Sequence, residues 1–358
     1  MEQHPHEFWR FGLVVATVGR VEPVLRLMHS LEGQTFRSFE LIVVDQNLEK
    51  DIAPVLFARP WHFPITHLRV PPIGVSAARN IGWQRTRAQV LVFPDDDCWY
   101  PAEYLQHLDV IMRRGAQLAT GRAATIFGRT INGRFDKVAG PITRGNVFTR
   151  QIEWNMAISA DLMRTLDGYD EAISLGSASP WQAGEGYDLI LRALAAGARC
   201  HYDPALVGHH EELPVRRPDT AMIAKGYAYA RGLGFVLRKH GFGPVALTGW
   251  LSRSGVNLAR GLLRLRFDLV HYFALQALGR WEGWWQQAAG RSAIGQPQQA
   301  RAQQRVQPVA ARLMPDAVAA AEGEIEQRTG RIGGKGADRH AGGPGPAPLA
   351  EQGDRVHP

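Results

Sequence analysis

Short apolar runs alternate with helical spacing over the first hundred positions, and these two periods set the elements. Phe11-Gly-Leu-Val-Val-Ala-Thr17 and Phe39-Glu-Leu-Ile-Val-Val-Asp45 are β-rich runs. Runs this short and this apolar read as strands buried on both faces. Between them Val24, Leu27, Met28 and Leu31 recur at helical spacing. His67-Leu-Arg-Val70 is a weaker third strand, and Gln89-Val-Leu-Val-Phe93 a fourth. Ser76 suits the cap of a helix from Ala77 to about Thr86. The pattern predicts an α/β fold with an open, mostly parallel sheet flanked by helices.

Beyond Pro101 the pattern predicts a helix to about Arg114, then a Gly-rich stretch from Leu118 to Ser159 that reads as hairpins or an antiparallel extension. Asp161 to Leu166 and Gly184 to Ala196 read as helices, and Arg199 to Tyr202 as a late strand. Helical spacing returns from Thr220 to about His240 and from about Val256 to Trp285. No Phe, Tyr or Trp follows Trp285, so the core must come from the residues before it. From about Gly290 the chain is rich in Ala, Gly, Gln and Pro, the composition of a disordered tail. The expected division is 1–218, 219–289 and 290–358: a catalytic domain, a basic helical extension and the tail.

Charge adds one local feature. The formal net charge of +7 suggests an anionic partner. Eight Lys or Arg lie between Arg231 and Arg280, against one acid, Asp268. Cys98 and Cys200 fit neither a disulfide framework nor a CxxC metal pattern, so a reducing, cytoplasmic setting is the simplest reading. Met1 to Trp9 is polar and does not read as a signal peptide. No apolar run reaches the ~18 residues that span a bilayer.

The chemistry gathers at the strand ends. In open α/β sheets, ligands bind beyond the carboxyl ends of the strands. Thr17 with Arg20, Asp45, and Asp95-Asp96-Asp97 each follow a strand. Three adjacent carboxylates repel unless a cation neutralises them. Mg²⁺ or Mn²⁺ prefers such oxygens and is commonly shared with substrate phosphates. On its own the triplet reads equally well as a solvated loop or helix cap. Its position level with Asp45 and Thr17 favours a metal–diphosphate site.

Four segments in order resemble the family 2 glycosyltransferases: Val14-Val-Ala-Thr-Val-Gly-Arg20, Leu41-Ile-Val-Val-Asp45, Gly74-Val-Ser-Ala-Ala-Arg-Asn-Ile-Gly82 and Phe93-Pro-Asp-Asp-Asp-Cys-Trp-Tyr-Pro101. The resemblance covers roughly Phe11 to His210. It implies a GT-A fold and an inverting transfer from a nucleotide-sugar, UDP-linked in the first instance. On this resemblance Thr17, Arg20, Asp45, Arg79, Asn80 and Asp95 would line the nucleotide pocket. Asp96 would be the principal ligand of Mg²⁺ or Mn²⁺, with Asp97 as a second. Pro94 stands where the family's commoner Asp-x-Asp-Asp form has its first acid.

An inverting transfer needs a carboxylate to take the acceptor's hydroxyl proton. The family often carries a Glu-Asp pair at a helix start. Here the segment is Gly184-Glu-Gly-Tyr-Asp188, with Gly186 in place of the second acid. Glu185 is the first candidate base and Asp188 the second. Both also suit a first helical turn, where the dipole stabilises acids. Trp181 would stack on an acceptor sugar or pack at the rim. His209 or His210 could complete the metal or diphosphate site, although histidines without other ligand-spaced partners usually do neither.

Arg260, Arg264 and Arg266, with Trp250, Trp281, Trp284 and Trp285 at the segment's ends, suit a helix lying in a membrane interface, or one packed on the catalytic domain with its arginines in water. The expected acceptor is a saccharide or lipid-linked saccharide, in cell-surface polysaccharide synthesis. The expected location is the cytoplasm, peripheral to the inner face of the membrane. Nucleic acid is not an expected partner, because the acid cluster opposes it. Two other readings stand beside this one: a sugar-phosphate nucleotidyltransferase, and a catalytically inactive basic membrane-binding protein. The first would want a Gly-rich phosphate loop with Lys near the N-terminus. Ala16 to Arg20 has one Gly and no Lys.

Overall fold

Strand geometry explains why the first two runs are apolar throughout. Successive side chains point to opposite faces of a sheet, and here both faces are covered. The computed structural model describes residues 8–49, 51–212, 215 and 217–289. Its elements begin with β1 (Phe11–Thr17), α1 (Glu22–Glu32), β2 (Phe39–Asp45), α2 (Ala53–Leu56), β3 (Ile65–Arg69), α3 (Val75–Trp83) and β4 (Val90–Val92). Then come α4 (Tyr104–Arg113), β5 (Leu118–Ala124), β6 (Gly140–Pro141), β7 (Met156–Ser159), α5 (Ala160–Thr165), α6 (Glu185–Ala195) and β8 (Cys200–His209). Three long helices follow: α7 (Thr220–Lys239), α8 (Pro244–Leu263) and α9 (Phe267–Ala289).

Phe11, Leu13 and Val15 of β1 face one core, with Leu27 and Leu31 of α1 and Leu105 and Leu108 of α4. Val14 faces a second core, with Ala78 of α3 and Leu189 and Ile190 of α6. Burying each such side chain contributes about 1.5–3 kcal/mol.

The sheet order is β3-β2-β1-β4-β7-β5-β8-β6. The first four strands are parallel, β7 runs antiparallel between β4 and β5, and β5 pairs parallel with β8. The open, mostly parallel sheet expected from the sequence is present. The chain steps outward from β1 to β2 and β3, then returns to the other side of β1 as β4. Such a reversal opens a crevice at the strands' carboxyl ends. Register puts Thr17 beside Asp45, and Ala16 bridges to Asp95.

Several local expectations are corrected. Ser76 does not cap α3, which starts at Val75 after Gly74 at φ +91°. Its hydroxyl donates instead to the Ile173 carbonyl, at 2.7 Å. The third strand lies slightly earlier than expected, at Ile65–Arg69. The late strand extends to His209, across Pro204, through an irregularity where it passes β5 near Gly121. A residue lacking a side chain is required there, because a Cβ at 121 would meet the Leu206 carbonyl at 1.8 Å. The last helical segment is two helices. α8 begins at Pro244, a favoured first-turn residue, and the chain reverses at Leu265, with φ 52°. Cys98 and Cys200 are buried free thiols. The expected tail, 290–358, lies outside the described residues.

Candidate active site

The ends of β1 and β4 supply the first half of the site. The Thr17 hydroxyl donates to Asp96 Oδ2 at 2.8 Å. Arg20, in the turn after β1, reaches Asp96 Oδ1 at 3.0 Å and also pairs with Asp97. His210, just past β8, places Nε2 3.0 Å from Asp97 Oδ1. The His210 ring lies against Trp154, with centroids 5.6 Å apart. His209 turns away, its Nδ1 2.9 Å from the Ala124 carbonyl. Of the two histidines left open by the sequence, His210 is therefore the one at the triplet.

The three carboxylates differ electrically. Burial outweighs the Thr17 and Arg20 contacts at Asp96 and pushes its pKa up to about 6. At Asp97 burial acts in the same direction, but His210 and Arg20 together hold it below the ordinary carboxylate value. Burial also raises Asp95, against the pull of Arg79. Asp95 is nonetheless 39% exposed at its side chain. A carboxylate ringed by protein yet open to water marks the floor of a cleft.

Arg79 joins this half to the start of α6. Its guanidinium is almost fully buried, donates to Asp95 Oδ1 at 2.8 Å and pairs with Glu153. The cost of burying this cation is outweighed by its acidic neighbours, Glu153 first, and its pKa is raised. Glu185 opens α6 and is itself buried. Burial, then repulsion from Glu153, pushes Glu185 up to about 8. Glu153 is likewise raised by burial, and its side chain is 21% exposed.

Gly186 explains how these acids fit together. A Cβ at 186 would lie 3.1 Å from Cβ and Cγ of Glu153 and 3.1 Å from Oε1 of Gln151. The Gly186 amide faces the Glu153 carboxylate and favours its charge. The acid absent from position 186 is thus matched in space by Glu153, from the loop before β7.

The remaining expected residues sit elsewhere or face inward. Asp45 is fully buried, accepting from the Asn47 amide at 2.8 Å and lying 3.0 Å from His67 Nε2. Asn80 holds the loop after α5. It donates to the Tyr169 carbonyl at 2.9 Å and accepts from the Tyr169 amide at 2.8 Å. Asp188 contacts Lys239 Nζ at 2.6 Å, His240 Nε2 at 2.7 Å and Arg192 Nε at 2.8 Å. Trp181 stacks on Phe235 of α7, with centroids 4.4 Å apart, so one ring face is covered.

Two residues were missed in the sequence. Glu153 lay in an irregular stretch, 74 residues from its partner Arg79, and no local signal marked it. Tyr229, on α7, feels Glu185, Asp95, Glu153 and Arg20, and burial raises its pKa. It therefore flanks the site from the helical extension. Nothing in helical spacing distinguished it from a packing residue.

Among the described residues no three His, Cys, Asp or Glu side chains form a ready metal cage. The donors nevertheless suit a hard divalent ion. Asp97 and His210 are adjacent, Asp95 is open to solvent, and Arg20 already supplies a cation between Asp96 and Asp97. An ion with few protein ligands that fills its shell with phosphate oxygens fits that set.

Comparisons with known proteins bear on this geometry. Residues 13–165 match the family described as Glycosyl transferase family 2. An uncharacterized glycosyltransferase of Haemophilus influenzae is 32% identical over 102 residues, 28% of this chain and 34% of that protein. The match thus spans about a third of that relative's length. Succinoglycan biosynthesis protein ExoO of Rhizobium meliloti is 26% identical over 246 residues, 61% of this chain and 67% of that one. Among solved structures, the mannosyltransferase PcManGT from Pyrobaculum calidifontis, in complex with GDP-Man and Mn²⁺, is similar at TM-score 0.48 and 14% identity. It is covered over 80% of its chain and 84% of this one. Over residues 13–165, then, this chain resembles glycosyl transferase family 2.

Proposed function

We propose that this chain moves a sugar from a nucleotide-sugar, UDP-linked in the first instance, to a hydroxyl of a saccharide or lipid-linked saccharide, with inversion. The observation that carries this is the Arg79 bridge. It joins a strand-end carboxylate cluster suited to a diphosphate to a helix start bearing a buried carboxyl of raised pKa. The name of the Rhizobium relative supports a place in polysaccharide biosynthesis.

Thr17 and Asp45 border the nucleoside, and Arg20 meets the diphosphate. Arg79 acts on the nucleotide side through Asp95, and Asn80 fixes the loop beside it. Asp96 and Asp97, with His210, would hold Mg²⁺ or Mn²⁺, which when bound offsets charge on the leaving diphosphate. Glu185, in its ionised form, takes the acceptor proton as the acceptor oxygen bonds to the anomeric carbon. The bond from that carbon to the diphosphate breaks, and Arg20 faces the charge released. Glu153 keeps Arg79 oriented and, through repulsion, keeps Glu185 basic. Asp188 braces α6, and Trp181 borders the acceptor side. The domain division at 218 and 289 belongs to this reading, as does a peripheral position on an anionic membrane face.

Asp96→Ala is expected to abolish turnover, and excess chelator to do the same in the wild type. A mass-spectrometric donor screen with Mg²⁺ or Mn²⁺ reads both. Transfer that persists in chelator removes the metal role. Gly186→Asp is expected to slow transfer roughly 10²-fold, because its carboxyl displaces Glu153 from Arg79. Combining it with Glu153→Ala is expected to recover part of that loss. Steady-state kcat values of the three variants would show whether the two positions share one space.

A further inference from the structure

α8 and α9 form a hairpin whose tip is apolar and whose inner side is basic. Leu263 is 86% exposed, Leu265 77% and Phe267 67%. Leu265 holds the left-handed backbone of the reversal at φ 52°. A bulky residue is rare there, since its Cβ crowds the following carbonyl oxygen. The turn therefore keeps an exposed leucine where Gly or Asn would fold more easily.

Beneath the tip are two adjoining hollows of about 570 and 430 Å³. Arg217, Arg260, Arg264 and Arg266 line them, with Leu269 and Phe273 as apolar wall. Asp268 neutralises Arg266, with contacts of 2.9 and 2.6 Å. Among the described residues no carboxylate pairs with Arg217, Arg260 or Arg264. A groove holding several arginines and one acid favours an anion, and guanidinium suits phosphate in particular.

We propose that the hairpin tip docks on an anionic bilayer surface, with a lipid phosphate in the arginine groove and Leu263, Leu265 and Phe267 entering the acyl boundary. This rests on the membrane reading given above and locates it. Charge and apolarity meet at one place: Arg264 lines both hollows and sits between Leu263 and Leu265. Nucleic acid would leave the exposed Leu263, Leu265 and Phe267 without a role. Along α8, Val245, Gly249, Ser252, Val256, Ala259 and Leu263 form one exposed stripe that carries no charge. This stripe continues the tip's apolar surface along the helix. No described helix is long and apolar enough to cross a membrane, so the contact is a surface one.

The test is co-sedimentation of the full chain with vesicles of phosphatidylcholine alone, or of equal parts phosphatidylcholine and phosphatidylglycerol. The wild type is expected to bind only the anionic vesicles. Arg260→Ala with Arg264→Ala is expected to weaken that binding roughly tenfold or more. Leu263→Ser with Leu265→Ser is expected to remove the part that survives high salt. All four side chains are exposed, so thermal melts should match the wild type. No binding by the wild type overturns the membrane reading and the groove together. Wild-type binding that neither pair weakens overturns the groove and leaves the membrane reading standing. Full displacement by soluble glycerophosphate, or loss of oligonucleotide binding in the arginine pair with vesicle binding intact, replaces the bilayer with another ligand.

Discussion

Glu185→Gln is expected to slow sugar transfer roughly 10²- to 10⁴-fold with little change in donor affinity, the loss typical of removing a general base. The change keeps shape and hydrogen bonding at the start of α6 and removes only the proton acceptor. A base must be ionised to act, and burial with Glu153 nearby pushes Glu185 up to about 8. kcat/KM of the wild type should therefore climb with pH and level off above about 8, and the Gln variant should lack that limb. Stability should move the other way. Glu185 takes up a proton on folding between its ordinary value of 4.5 and about 8. Wild-type stability therefore falls as pH rises through that window, since the folded state binds the extra proton. The Gln variant escapes this, and its advantage in thermal melts should grow with pH up to about 8. Full turnover in the variant would move the base away from Glu185.

Asp188→Asn is expected to cost about 3 kcal/mol, because Arg192 loses its carboxylate while Lys239 keeps only Asp170, at 2.6 Å. The carboxylate is 1% exposed and meets Arg192, Lys239 and His240. Arg192 also donates to the carbonyls of Leu166 and Gly168, at 2.7 and 2.8 Å. Asp188 thus ties α6 to α7 and to the loop after α5. Gly232 of α7 packs directly on Ala183, where a Cβ would lie 2.2 Å from the Ala183 carbonyl. Melting temperature should fall on the order of 10 °C. Although burial opposes it, these partners hold Asp188 far below the ordinary carboxylate range. Its contribution is therefore present above the ordinary value of 3.8 and is lost only as pH falls toward the lower folded value. In mild acid the gap in melting temperature between the wild type and Asp188→Asn should therefore stay constant. A variant as stable as the wild type would show that the Lys239–Asp170 pair, at 2.6 Å, is enough to hold α7 in place.

The legible parts were those written in local periodicity. β1, β2 and β4 announced themselves as apolar runs, and the residues ending them fell at one sheet edge because parallel register aligned them. Thr17, Arg20 and the acid triplet were legible for that reason. Glu153 was not, because its partner Arg79 lies 74 residues earlier and their pairing is purely tertiary. The Asp188 cluster was hidden in the same way, since Lys239 and His240 come from the end of α7 and just beyond it. α8 was read short at its start because Gly249 and Gly255 weaken helical propensity, while packing on α9 sustains the helix. The break at Leu265 carried no Gly or Pro to mark it.

Gly186 and Glu153 stand 33 positions apart and occupy one volume. Substitution at either changes what the other can tolerate, so the two sites form a single unit of variation. A pattern that scores the helix start alone counts an acid as missing. Here the loop before β7, and not the helix start, carries the side chain that fills that space.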